Sequence, residues 1–131
     1  MAEVRVVRAG ELSADTAQTA GMTRIAAVDR KTVGSERLWV GFASVAPGIR
    51  SGAHHHGGCD SVVHVTAGRL SIRYGERLER SVEANAGDFI FVPANLVHQE
   101  INTSEADPVE TLVVRSGENI VVNVEVAEAA Q

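Results

Sequence analysis

Gly48-Ile49-Arg50-Ser51-Gly52-Ala53-His54-His55-His56 holds three of the chain's five histidines in consecutive positions, just beyond the pair Pro47-Gly48. A Pro-Gly pair marks a turn, so the chain from Ile49 to His56 reads as resumed extended structure. In a strand, successive side chains point to opposite faces. His54 and His56 therefore share a face, and His55 faces away. Two imidazoles on one rigid face are half of a metal site, and a distant segment must supply the rest.

Outward from this stretch, the chain reads as short strands between turn signals. Val4 to Val7, Thr23 to Val28, Leu38 to Ala46, Val62 to Thr66 and Leu70 to Tyr74 are strand candidates. So are Leu78 to Ala84, Asp88 to Val92, Val97 to Ile101, Glu110 to Arg115 and Ile120 to Val126. Glu11 to Gly21 reads as a turn or one short helix, and Lys31 to Ser35 as a loop. Strands recurring about every 8–12 residues without a long helical period point to an all-β sandwich or barrel. The length of 131 residues fits one domain. Its core is expected at about 36–126, with residues 1–35 as an N-terminal extension with short strands and 127–131 as a frayed tail.

Composition narrows the function classes. Hydrophobic residues are 44% and charged residues 22% of the chain, as in ordinary globular domains. The net charge is −5, and the 12 Lys and Arg residues are scattered. Nucleic acid and anionic membrane surfaces are therefore not expected as partners. Cys59 is the single cysteine, and no apolar run is long enough to span a bilayer. The first residues lack the apolar stretch of a signal peptide. A cytoplasmic location is expected.

His98 is the candidate for the missing part of the site. It follows Gly87-Asp88-Phe89-Ile90-Phe91-Val92-Pro93, a strand running into a proline turn. Two histidines from one strand and one from a distant strand converge only if the sheet is curled or doubled.

These residues resemble the cupin superfamily, in particular its small single-domain RmlC-like members. The first cupin motif is a glycine, five residues, His-x-His, a spacer, a glutamate, six residues and a glycine. Gly48, His54, His56 and Gly68 keep that spacing, but Ser61 stands in the glutamate slot. In the second motif Gly87, Pro93, His98 and Asn102 fall on their positions, and Asn95 replaces a glycine. Asn tolerates positive φ better than other non-glycine residues, so that exchange should be mild. The resemblance implies a double-stranded β-helix, or jelly-roll, barrel. It also implies that His54, His56 and His98 hold a divalent transition metal.

The fourth ligand is open. Asp60 is adjacent to Ser61, and a local bulge could bring it inward. Otherwise water completes a three-histidine shell, and Ser61 lines the site. Nitrogen donors suit Fe, Zn, Ni, Mn or Cu rather than Mg or Ca. Glu100 lies two residues after His98, on the same strand face. It reads as a general acid or base, a partner to the ligands, or a replacement ligand. His55 and His64 are expected outside the barrel, and Cys59 as a small structural residue. Trp39, Phe42, Phe89 and Phe91 read as core or dimer contacts.

The preferred functional reading is a metal-dependent enzyme on a small anionic or oxygen-rich molecule, of the dioxygenase type. A second is an isomerase, lyase or decarboxylase with Glu100 moving the proton. A third is a non-catalytic module that binds a small molecule. The resemblance also implies a homodimer.

Overall fold

The computed structural model describes residues 2–127. Two five-stranded antiparallel sheets face each other. The first has the order β1 (Met22–Val28), β2 (Leu38–Val45), β9 (Val109–Ser116), β4 (Ser61–Ala67), β7 (Phe89–Val92). The second has the order β10 (Val122–Asn123), β3 (His54–His55), β8 (His98–Ile101), β5 (Arg69–Tyr74), β6 (Arg80–Asn85). The all-β double-stranded β-helix expected from sequence is the observed fold. No helix among the described residues is long and apolar enough to cross a membrane.

Alternation drives the sandwich. In β2, Trp39, Ala43 and Val45 are buried while Leu38 and Phe42 are exposed. In β9, Val109, Thr111, Val113 and Arg115 are buried and their neighbours are not. The inward residues of both sheets form one core around Trp39, Val65, Leu70, Ile72 and Val109. Each such side chain contributes about 1.5–3 kcal/mol on burial.

Two turns show how local chemistry sets the path. Gly68, at φ 80°, joins the sheets between β4 and β5, and a Cβ there would lie 2.5 Å from the Pro108 carbonyl oxygen. Asn95 adopts φ 63°, the left-handed conformation anticipated for the residue that replaces a motif glycine.

Three sequence expectations are corrected. Val4 to Val7 forms no strand, because no neighbouring strand pairs with it; Val4 is 98% exposed. Lys31 to Ser35 is not all loop. Arg30–Val33 is one helical turn (α1), capped by the Asp29 side chain and ended by Gly34 in the left-handed region. Of Ile49 to His56 and Ile120 to Val126, only the short β3 and β10 are paired strands. The strand expected over Thr23 to Val28 is present as β1, which completes the first sheet through its pairing with β2. Of the tail expected to fray, residues 128–131 lie outside the described residues.

Candidate metal centre

His54 and His98 are directly opposed across the β3–β8 pairing. Opposed residues of antiparallel strands hold their Cβ atoms about 4.5–5.5 Å apart, so the register alone brings these two rings together. His56 lies two residues beyond His54 and shares its face. The ring centroids are 4.4 Å apart for His54–His98 and 5.1 Å for each of the other two pairs. One nitrogen from each ring lies within 4.8 Å of those of the other two, and all three residues are buried.

The main chain sets the tautomers. His54 Nδ1 lies 2.8 Å from the Gly52 carbonyl oxygen, His56 Nδ1 2.8 Å from that of Ile120, and His98 Nδ1 2.9 Å from that of Leu96. A carbonyl oxygen only accepts, so each Nδ1 carries the hydrogen. Each Nε2 then turns a lone pair toward the common centre. This outer anchoring is the arrangement that metal-ligating histidines show.

Glu100 adds a carboxylate. It is paired with Ile72 in the β8–β5 register and points into the barrel. Its Oε2 is 3.2 Å from His54 Nε2, and its Oε1 is 3.3 Å from His98 Nε2. The Ser51 hydroxyl, 3.3 Å from Oε2, also accepts the Glu100 backbone N–H at 3.0 Å. Lone pairs of imidazole and carboxylate repel unless a positive centre lies between them. A proton on His98 or a metal ion supplies it. The donor set, three imidazole nitrogens with a carboxylate beside two of them, suits a divalent transition metal held by the histidines.

Burial and neighbouring charge shift these groups strongly. Burial holds His54 at about 4, against the pull of Glu100, and holds His56 at about 2, helped by the Arg115 charge. Burial opposes protonation of His98 too, but the Glu100 carboxylate beside it raises its pKa above the ordinary value. Burial pushes Glu100 upward, yet His98, His54 and Arg24 together hold it well below the usual carboxylate range.

Two buried guanidiniums flank the cluster, and the sequence reading missed both. Arg24 of β1 is fully buried, with Nη2 at 3.3 Å from His54 Nε2 and Nη1 donating to the Thr19 hydroxyl at 3.0 Å. Its Nε has no hydrogen-bond partner. Arg115 of β9 is 3% exposed, donates to the Ser61 hydroxyl at 2.6 Å and to Asn119 Oδ1 at 2.9 Å. The signal for Arg115 was legible: it continues the inward row of Val109, Thr111 and Val113. Arginine is seldom fully buried, which hides such a residue from a sequence reading.

Ser61 therefore lines the interior, but as the partner of Arg115. Asp60 stands outside the cluster: its side chain is exposed and its Oδ1 accepts from the Ala94 N–H at 3.0 Å. The Asp60 carbonyl accepts from the Ser116 N–H and the Asp60 N–H donates to the Ser116 hydroxyl, which holds it there, so no bulge turns it inward. His55 accepts from the Gly57 N–H, and His64 stacks on Phe89 on the outer face of the first sheet. Cys59 is buried, beside Gly117. Trp39 is core, whereas Phe42, Phe89 and Phe91 are exposed.

Residues 41–115 match the family model described as the cupin domain. The chain belongs to the cupin family. The chain is also similar in fold to the polyketide cyclase RemF from Streptomyces resistomycificus, at 20% identity and TM-score 0.73. That match covers 96% of this cupin and 89% of the cyclase. A Thermus thermophilus protein is 28% identical at TM-score 0.60, over 73% of this chain and 83% of its own. A sugar phosphate isomerase from Silicibacter pomeroyi is 27% identical at TM-score 0.56, over 71% of this cupin and 59% of the isomerase. No protein of curated function matches the sequence.

Proposed function

We propose that this cupin is a metal-dependent enzyme that moves a proton on a small carbonyl-containing molecule. The supporting observation is Glu100: a buried carboxylate against two of the three histidine nitrogens, in a barrel whose usual glutamate position holds Ser61. His54, His56 and His98 would hold the ion. A divalent ion bound there acts as a Lewis acid on an oxygen of the substrate. Glu100, kept ionised by its neighbours, is the group available to take a proton and return it. Ser51, through its bonds to Glu100, fixes the carboxylate's orientation. The sheets around it exclude water, which strengthens each charge interaction.

The oxygenase reading rests on the open three-histidine set. Glu100 occupies space beside that set, which favours proton transfer over oxygen activation. Many isomerases, lyases and cyclases begin with such a step, and the isomerase among the similar structures accords with it.

The test needs no known product. Protein loaded with zinc, iron or manganese is incubated in D2O with a panel of keto acids, and deuterium entry beside the carbonyl is followed by NMR. Exchange should require the ion and should fall about 10²–10⁴-fold in Glu100→Gln, with about one ion per chain in both proteins. Substrate-dependent O2 consumption without deuterium entry would establish the oxygenase reading instead. A fully active Glu100→Gln variant would remove Glu100 from the chemistry.

The proposal includes a homodimer. The outer face of the first sheet carries Leu38, Phe42, Val62, Phe89 and Phe91 exposed, and Glu110 is the one charged residue among the outward positions of β2, β4, β7 and β9. A face with a single charge offers little to an oppositely charged partner. It matches a second copy of itself across a two-fold axis.

A further inference from the structure

Two observations beyond the histidine cluster bear on what enters it. The first is a cavity of about 250 Å³ between β5, β6, β7 and β8. Ile72, Tyr74, Val82, Ile90, Val92 and Leu96 form its wall, and His98 is its link to the cluster. The wall is overwhelmingly apolar. The volume lies just below the range of about 300–1,000 Å³ of pockets for drug-sized ligands. It suits an aromatic ring system or a branched chain. A dianion the size of oxalate would leave this space to water.

The second observation is the balance of buried charge. Arg24 and Arg115 are both buried, and all the side-chain and backbone groups that accept from them are neutral. Among the described residues neither takes part in a salt bridge. Glu100 is the one buried carboxylate near them. A divalent cation would add to an interior already one charge positive. Buried charges are ordinarily paired, so the interior lacks an anion. Ser61 locates it: it is paired with Arg115 on one side and with Val92, a wall residue of the cavity, on the other. The cationic and apolar regions thus meet along one row of the first sheet.

We propose that the ligand is a small hydrophobic acid. Its carboxylate or enolate end lies toward the Arg115–Ser61 pair and the histidine cluster, and its apolar body fills the cavity at His98. This rests on reading the cluster as a metal-dependent site. It adds that Arg115, standing where the first motif's glutamate slot opens, is the residue that selects for an anion.

Calorimetric titration of the zinc-loaded protein with naphthoate, naphthyl methanol and oxalate tests this. Naphthoate should bind at least tenfold more tightly than either of the others. Val82→Glu, at the half-open rim of the cavity, should weaken naphthoate at least tenfold while leaving the zinc content unchanged. Arg115→Met should remove the preference for naphthoate over the alcohol. If that variant fails to fold, the Val82→Glu result decides. Oxalate binding as tightly as naphthoate, or Val82→Glu binding like the parent, overturns the proposal. The readout needs no turnover. Failed deuterium exchange with intact naphthoate binding would remove the proton-transfer reading alone, and the reverse outcome would remove this one.

Discussion

Acidification of the metal-free protein offers a quantitative test of the histidine cluster. His54 and His56 are buried in neutral form, at about 4 and about 2, with burial as the main cause. In the unfolded chain both return to about 6.5. Below that pH the unfolded state takes up protons that the folded state refuses, so stability falls with pH. From pH 7 to pH 5, each histidine costs about 2 kcal/mol by this linkage, and the two together about 4 kcal/mol. His98 acts in the opposite sense. Its pKa is raised in the folded state, so its stabilisation is complete below about pH 6.5 and lost as pH rises; over this window it offsets a minor part of that loss. Glu100, held low, contributes stability that is lost only below about pH 4.5, outside the window. The other charges facing the cluster, Arg24 and Arg115, stay protonated throughout. With a urea slope of about 2 kcal/mol per molar, the unfolding midpoint should drop by between about 1.5 and 2 M. His56→Leu removes one titrating ring and should reduce the drop to about 1 M. A drop below about 0.5 M in the parent, or an unchanged drop in His56→Leu, would refute the buried-neutral assignment.

The other predictions concern the metal, the scaffold and the assembly. His56→Ala should lower the ion content measured by elemental analysis from about one per chain to a small fraction, because only two imidazole ligands remain; full occupancy would dismiss His56 as a ligand. Asn102 is buried, donates to the carbonyls of Val45 and Asp107 and accepts from Ser104 N–H. Asn102→Ala should cost about 3 kcal/mol and lower Tm by about 10 °C in a calorimetric scan, with metal content retained. Phe89 is 71% exposed, and Phe89→Asp should halve the mass seen by light scattering, from two chains to one; a parent protein that is already monomeric would refute the dimer.

Much of this was legible in the sequence because it depends on counting. The alternation of β2, β4 and β9 and the spacing from Gly48 to Asn102 are one-dimensional records of a sheet, and they locate His54, His56 and His98 together. Glu100 followed from the same rule, two residues beyond His98. The failures arose where pairing decides. Val4 to Val7 has strand-forming residues but no neighbouring edge. Asp60 was close in sequence to the vacant glutamate slot, but its backbone bonds to Ser116 turn it outward. The carboxylate and guanidinium at the site come from β8 and β9, far along the chain, and only the folded register shows that Arg115 meets Ser61.

The three imidazoles are anchored by the carbonyl oxygens of Gly52, Leu96 and Ile120. A peptide carbonyl is present whatever residue occupies its position, so side-chain substitutions at those three sites leave the anchors in place. The fourth side of the centre has no such protection, since Arg115 reaches Ser61, and Glu100 reaches His54 and His98, through side chains. Single codon changes can therefore alter its charge and shape while the metal's nitrogen ligands hold their orientation. A cupin of this design can change its chemistry on one side without rebuilding the other three.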